Sequence, residues 1–247
     1  MYAKLLPALQ KRIESEDFLQ RHRASPNAFT RERTLCFRTV VLLLLNLLKG
    51  SLQDELDGFF KALGGFPVAA RVVTKSAFSQ ARRKLRHGAF LELNALVTTF
   101  FYKHTRAQLW HGLRVLAIDG STAQLPRTEA IAKHFGGLPG KRGGLCPLAR
   151  VSQMYDVLNR ITVAATIAPY AAAERDLAAS HIQGLTGTDL VLLDRGYPGF
   201  WFFSLLNLHG IQFCARVMTD YNPAVSDFVA SGKAERIIRM SPAPAAR

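Results

Sequence analysis

The spacing of apolar positions changes character near residue 108. Before it, apolar residues recur at the three-to-four spacing of helices; after it, short apolar and alternating runs read as strands. Residues 1–25 alternate charged and apolar positions and predict one amphipathic helix, ended by Ser25-Pro26-Asn27. A second helix is predicted from Thr30 to about Leu48, with Gly50 placed to end it. Leu52, Leu56, Phe59, Phe60 and Leu63 mark a third, opened at Ser51–Asp54 and closed by Gly64-Gly65-Phe66-Pro67. Lys75-Ser76 reads as the N-cap of a fourth, running from Ala77 to about His87, and Phe90–Tyr102 is the fifth, after a break at Gly88.

Leu113–Ile118 predicts a strand that ends at Asp119-Gly120-Ser121. Residues 126–148 are rich in Gly, Pro, Lys and Arg and read as a loop with one short helix near 128–135. Ala149–Val157 and Ile161–Ile167 form a hairpin around Asp156, Asn159 and Arg160. Then come an alanine-rich helix over 172–185, a buried strand Leu190–Leu193 ending at Asp194, a helix over 199–208 and a strand over 211–217. The order strand, strand, strand, helix, strand, helix, strand is that of a ribonuclease-H-like core, an antiparallel meander followed by right-handed crossovers. The expected fold class is therefore α/β (α+β overall): a helical N-terminal region over 1–108, then an incomplete ribonuclease-H-like mixed sheet over 109–222, then residues 223–247.

Composition adds a partner. The chain has 247 residues and a net charge of +14, with a pI near 10.2, which points to a polyanion, nucleic acid ahead of an acidic membrane surface. The apolar run Val40–Leu48 is too short to span a bilayer, and no signal-peptide core stands at the N-terminus. Three scattered cysteines give no CxxC pair, which argues against a disulfide framework or a thiolate zinc site and for a reducing cytoplasm. Between Asp57 and Glu92 stand seven Lys or Arg residues and no acid. The helix there carries Lys75, Ser79, Gln80, Arg82, Arg83, Lys84 and Arg86 around an apolar stripe of Ala77, Phe78, Ala81 and Leu85. It fits the second helix of a helix-turn-helix DNA reader and equally a solvated basic face.

In a ribonuclease-H-like core the first and fourth strands are neighbours, so Asp119 and Asp194 meet at one end of the sheet. Alone, Asp194 also fits a turn aspartate bonded to nearby backbone. Paired, the carboxylates repel unless a cation lies between them, and all-oxygen ligation suits Mg²⁺ or Mn²⁺. Two such ions about 4 Å apart activate a water or 3′-hydroxyl and stabilise the leaving oxygen of a phosphodiester. Arg195, beside the second aspartate, is a candidate phosphate contact, with Arg216 a weaker one. Glu174 and Asp176 open a helix, where acids favour the dipole, and either also fits a place near the metal. Lys141-Arg142 among glycines reads as a basic loop touching DNA, because the GxxxxGK[ST] phosphate loop is absent.

Ala117-Ile-Asp119-Gly-Ser121, Leu193-Asp194-Arg-Gly-Tyr-Pro198 and Phe213-Cys-Ala-Arg216 resemble the DDE transposases of bacterial insertion sequences, in particular the IS-four-like family. Leu52–Leu63 followed by Thr74–Leu85 is similar to that family's helical DNA-binding region. The resemblance implies cut-and-paste transposition of DNA. Asp119 and Asp194 would hold Mg²⁺ or Mn²⁺, the helices would help read terminal inverted repeats, and a homodimer would pair two element ends before attack on target DNA at the nucleoid. The family's third ligand is a glutamate in a Tyr-x-x-Arg-x-x-x-Glu-x-x-x-x-x-x-Lys pattern beyond a β-rich insertion. After Val217 the only glutamate is Glu235, in a segment that resembles the start of that insertion. The expectation is thus the N-terminal portion of a transposase, one that binds DNA and does not cleave it alone. A non-catalytic inhibitor derived from a transposase and another metal-dependent nuclease on the same core are the rival readings.

Overall fold

The structure, a computed structural model, describes residues 2–31, 33–46, 50–65, 71–140 and 143–239. The chain divides into two compact units, Met1–Thr105 and Arg106–Arg247. The first unit holds helices α1 (Tyr2–Ile13), α2 (Glu16–His22), α3 (Phe37–Leu45), α4 (Leu52–Gly64), α5 (Lys75–Arg82) and α6 (Gly88–His104). The single helix expected over 1–25 is two. Ser15 interrupts it, accepting the Phe18 N–H at 3.3 Å and capping α2, while Phe18 is wholly buried. The helix expected from Thr30 begins at Phe37, because the chain turns at Thr34 and Leu35; its expected end at Leu48 lies outside the described residues. Ser51 caps α4, and Gly65 ends it in the left-handed region at φ 64°. Phe66 and Pro67 lie outside the described residues.

The basic helix α5 is shorter than its periodicity predicts. Its cap is Thr74, which accepts the Ala77 N–H, in place of Lys75-Ser76. It stops at Arg82 because the chain beyond pairs with the end of α2. Leu85 bridges Arg23, the Ala24 N–H donates to the Lys84 carbonyl at 2.7 Å, and the Arg86 N–H donates to that of His22 at 2.8 Å. α3 is apolar nearly all round because it is buried on two sides. Phe37 and Val41 pack with Ile13, Phe18, Ala89 and Leu93, while Val40 and Leu43 pack with Leu56, Phe60, Phe78 and Ala81.

The second unit holds β1 (Arg114–Gln124), α7 (Glu129–Phe135), β2 (Gly137–Pro139), β3 (Leu145–Asp156), β4 (Ile161–Pro169), α8 (Glu174–Ile182), β5 (Asp189–Leu193), α9 (Phe200–Leu208), β6 (Gln212–Ala215) and α10 (Pro223–Ala230). The main strands lie in the order β4-β3-β1-β5-β6, with β3 antiparallel to β1 and β4, and β5 parallel to β1 and β6. That is the ribonuclease-H-like order expected from the sequence. The short β2 was not foreseen; it pairs with the start of β3, where a Cβ on Gly137 would sit 2.0 Å from the Cys146 carbonyl oxygen. β1 does not end at Asp119. It runs on to Gln124, because its second half pairs with β3 as far as Leu148 after β5 has stopped.

One face of the sheet is dry. Leu116, Ile118, Met154, Val191 and Leu193 pack against Ala178 and Ile182 of α8 and Phe202, Phe203 and Leu206 of α9. Two polar contacts fix elements across this unit. Arg114 and Asp189 are register partners and form an ion pair at 2.7 Å, with the Asp189 side chain 2% exposed. His181 of α8 meets Ser152 of β3 at 3.1 Å, and burial holds the imidazole below its ordinary pKa of 6.5.

Arg114→Leu leaves Asp189 buried without its cation. It should destabilise the chain by roughly 3 kcal/mol in urea unfolding, with much of that recovered when Asp189 is also made apolar; no loss would mean that the pair does not hold the register. His181 should add a pH dependence. Its depressed pKa means that the folded state binds fewer protons, so its contribution is complete above about 6.5 and fades as pH falls through the lower folded value. The thermal midpoint should drop between about pH 7 and 5, and His181→Gln should flatten that drop.

Candidate functional site

The β1–β5 register brings the two aspartates together. Arg114 pairs with Asp189 and Ala117 with Leu192; two residues further along each strand stand Asp119 and Asp194. Neighbouring strands lie about 4.8 Å apart, so the two residues are lateral neighbours at the open end of the parallel pair. Both are exposed. Each uses one oxygen locally: Asp119 Oδ1 accepts the Gly120 N–H at 2.8 Å, and Asp194 Oδ1 accepts the Gly196 N–H at 2.7 Å. The turn role open to Asp194 is therefore present, and it leaves the second oxygen of the carboxylate free for a ligand. Arg195, Gly196, Tyr197 and Pro198 form the turn that leads to α9, and Arg175 Nε donates to the Gly196 carbonyl at 3.2 Å.

Tyr197 reaches back from this turn. It is 1% exposed, and its hydroxyl is buried without a hydrogen-bond partner. Burial pushes its pKa up strongly, the charges of Asp119, Glu174 and Asp194 push it further, and Arg150 opposes them. The phenol is thus held neutral among three carboxylates. Glu174, the first residue of α8, accepts from Arg150 Nη1 at 2.7 Å. A methyl group on Gly120 would lie 3.2 Å from Tyr197 Oη and 3.3 Å from the Glu174 carboxyl carbon. On Gly196 it would lie 3.2 Å from Asp194 Oδ1 and 3.9 Å from Glu174 Oε2. Asp119 itself borders a cavity of about 380 Å³ with Ala117, Gly120, Ser121, Val151, Gln153 and Tyr155.

The donor set is carboxylate and hydroxyl oxygen, the set that suits Mg²⁺ or Mn²⁺. Among the described residues no group of three His, Cys, Asp or Glu side chains is placed to hold a metal ion. Arg150, Arg175 and Tyr197 were missed as site residues by sequence reasoning. Tyr197 stood in the motif beside Asp194, and that adjacency was the available signal; nothing in the spacing marks the two arginines.

The basic residues of the first unit separate by direction. Lys75, Gln80, Arg82, Arg83, Lys84 and Arg86 are exposed and Ser79 is half-buried. Among the described residues none of these cations is within ion-pair distance of a carboxylate. Gln80 and Lys84 line a groove of about 820 Å³ together with Arg31 and Arg33 from the loop before α3, residues that the helix pattern had not singled out. In the second unit Arg195 and Arg216 are exposed, and Lys141 and Arg142 lie outside the described residues. Among the described residues no helix is long and apolar enough to cross a membrane.

No family model matches the chain. It is 28% identical over 88 residues to the putative transposase InsZ of Escherichia coli (strain K12), covering 35% of this chain and 29% of that protein. It is 23% identical over 180 residues to the transposase InsG for insertion sequence element IS4 of the same strain, covering 71% of this chain and 40% of that protein. The chain thus spans less than half the length of the curated relatives it matches. A solved structure titled as a piggyBac transposase synaptic complex with hairpin DNA aligns at 10% identity and a TM-score of 0.44, over 94% of this chain and 54% of that one. The similarity to insertion-sequence transposases agrees with the motifs around Asp119 and Asp194.

Tyr197→Phe removes a buried hydroxyl that has no partner. Stability in urea should stay level or rise by up to about 1 kcal/mol; a loss larger than that would mean that the hydroxyl is bonded in the folded chain.

Proposed function

We propose that this chain, an IS4-like transposase by similarity, binds double-stranded DNA through its helical unit and takes part in metal-dependent cleavage and strand transfer at Asp119 and Asp194. The observation that carries the reading is the register: two aspartates, each in a transposase-like motif, stand side by side where β1 and β5 part.

Asp119 and Asp194 would hold Mg²⁺ or Mn²⁺ through the oxygens not bound to backbone. A cation held there would supply polarisation of the scissile phosphate and a nucleophile at neutral pH. The chain's own groups prepare that step. The Gly120 and Gly196 N–H groups orient the carboxylates. Arg175 braces the turn after Asp194 by holding the Gly196 carbonyl. Arg195, exposed next to the ligand, faces solvent where a phosphate would approach. A neutral Tyr197 can donate a hydrogen bond and adds no charge to an already anionic site.

Lys75, Arg82, Arg83, Lys84 and Arg86 neutralise phosphates, while Ser79 and Gln80 reach base edges of the terminal inverted repeats. Arg31 and Arg33 extend the same surface. The assembly is a homodimer that pairs two element ends and then engages target DNA, at the nucleoid in the cytoplasm. Non-catalytic binding is the second reading, favoured by the absence of a closed metal triad among the described residues.

A gel-shift titration on a labelled inverted repeat should show binding that weakens linearly on a log–log plot against salt. Each of Arg82→Ala and Lys84→Ala should lower that slope by about one phosphate. Nicking of the same DNA with Mn²⁺, abolished by Asp119→Asn or Asp194→Asn with binding left intact, would show that the chain cleaves by itself, against the expectation from its sequence that it binds without cleaving. Binding without any nicking would favour the inhibitor reading; no binding at all would remove both.

A further inference from the structure

We propose that the groove between α5 and the chain leading into α3 grips the phosphodiester backbone of a single DNA strand, with Arg31 and Arg33 on one wall and Lys84 on the other. The inference rests on the reading that the helical unit binds DNA. It names what enters the groove: the backbone of one strand, whether that strand is paired or free.

Three observations carry it. The first is the donor set. The described residues that line the groove include three cations and no acid, with Asn27, Thr30, Thr34 and Gln80 as neutral donors. Cations joined by hydroxyl and amide groups are the set that contacts phosphate oxygens. Among the described residues no carboxylate lies within ion-pair distance of Arg31, Arg33 or Lys84, so a ligand need displace no partner. The second is size. A volume of about 820 Å³ is that of a small-molecule site, with room for a stretch of one strand and not for a duplex. The third is that the arginine wall is fixed in advance. Ala28 is buried, and Phe29 and Leu35 pack into the core around α3, with the Phe29 ring edge-on to Phe37 at 5.5 Å between centroids. Phe29 holds φ 60°, a strained value for a residue with a β-carbon, and this packing keeps it there. The Ala28 N–H donates to the Ser25 carbonyl at 3.0 Å, and Thr30 Oγ1 to the Asn27 carbonyl at 3.3 Å. Donors held in place lose little freedom on binding.

The two walls are tied to each other. The Ala24 N–H donates to the Lys84 carbonyl at 2.7 Å, which joins the start of the arginine-bearing chain to the residue that carries the opposing cation. Ala77, Gln80, Ala81 and Lys84 recur at the three-and-four spacing of one helix face, and this is the face that looks into the groove. A strand gripped by the three cations therefore passes Gln80. Lys75, Arg82, Arg83 and Arg86 do not line the groove and are left for other phosphates of the same DNA. The opposing interpretation is a solvated basic surface that attracts any polyanion through its net charge. Arg31 and Arg33 would then count for no more than any other exposed cation.

Fluorescence anisotropy on the full 247-residue chain separates the two, with a short mixed-sequence duplex and with one of its strands alone, each titrated across salt concentrations. Arg31→Ala and Arg33→Ala should each lower the slope of log affinity against log salt by about 0.9 on the duplex and about 0.7 on the single strand, with the far-UV CD spectrum unchanged. Arg31→Lys, which keeps the charge, should retain the slope. Lys61→Ala, exposed on α4 and outside the groove, should leave it unaltered. Polyglutamate, which carries charge without phosphate, should compete poorly with the labelled strand. If the arginine variants lose slope on the duplex only, they follow duplex shape and not one strand. If they keep the full slope on both probes, the groove holds no backbone. If Lys61→Ala loses as much as they do, or polyglutamate displaces DNA at equal charge, the surface is a general one. In each of these cases the groove assignment is wrong and DNA binding stands without it. If the unaltered chain binds neither probe, this inference and the DNA reading fall together.

Discussion

The parallel register between β1 and β5 is the constraint on which the rest depends. A slip of one residue would turn every side chain of β5 to the opposite face of the sheet. Val191 and Leu193 would leave the core they share with Leu116 and Ile118, and Asp194 would no longer stand level with Asp119. Hydrophobic alternation opposes such a slip. The Arg114–Asp189 pair opposes it again at the other end of the strands, with Asp189 also accepting the Thr186 N–H at 2.8 Å. A buried carboxylate satisfied by both an arginine and a backbone donor contributes to specificity of pairing more than to net stability. The same five-residue step from Arg114 and from Asp189 ends on Asp119 and Asp194, so a contact at one end of the strands fixes where these two aspartates stand at the other.

What gathers at that end is charge in excess. Asp119, Asp194 and Glu174 lie near one buried hydroxyl, and Arg150 is the cation whose charge opposes theirs on Tyr197. Glycine at 120 and 196 avoids close contacts that a side chain would make with Tyr197, Glu174 and Asp194. The first unit shows the opposite treatment of charge. Arg12, Arg21 and His22 gather around Glu92, and Arg38 meets Glu14, while the basic residues of α5 are left facing solvent. Cations without carboxylate partners are available to phosphates at little cost in broken ion pairs.

The parts legible in the sequence were those set by local pattern or chain order. α4 carried both of its caps in the sequence, Ser51 and Gly65, and formed over the expected residues. The strand order and the pairing of Asp119 with Asp194 followed from the sequence of elements alone. The rest depended on partners distant in the chain. α5 stops at Arg82 because backbone around Lys84–Arg86 bonds to residues 22–24, which no periodicity announces. β1 outruns its apolar run because β3 goes on pairing with it past Asp119. In the sequence Glu174 fits both the helix dipole and a place near the aspartates, because its helix position explains an acid there without reference to the sheet. Its approach to Asp194 exists only once α8 has packed across β1 and β3.

The central claim is that the register builds a cation site between Asp119 and Asp194. Anomalous diffraction from a crystal grown with Mn²⁺ tests it most directly. The account predicts a manganese peak about 2 Å from a carboxylate oxygen of each aspartate. A fully occupied peak elsewhere, or none at Asp119 and Asp194 under saturating Mn²⁺, would contradict it.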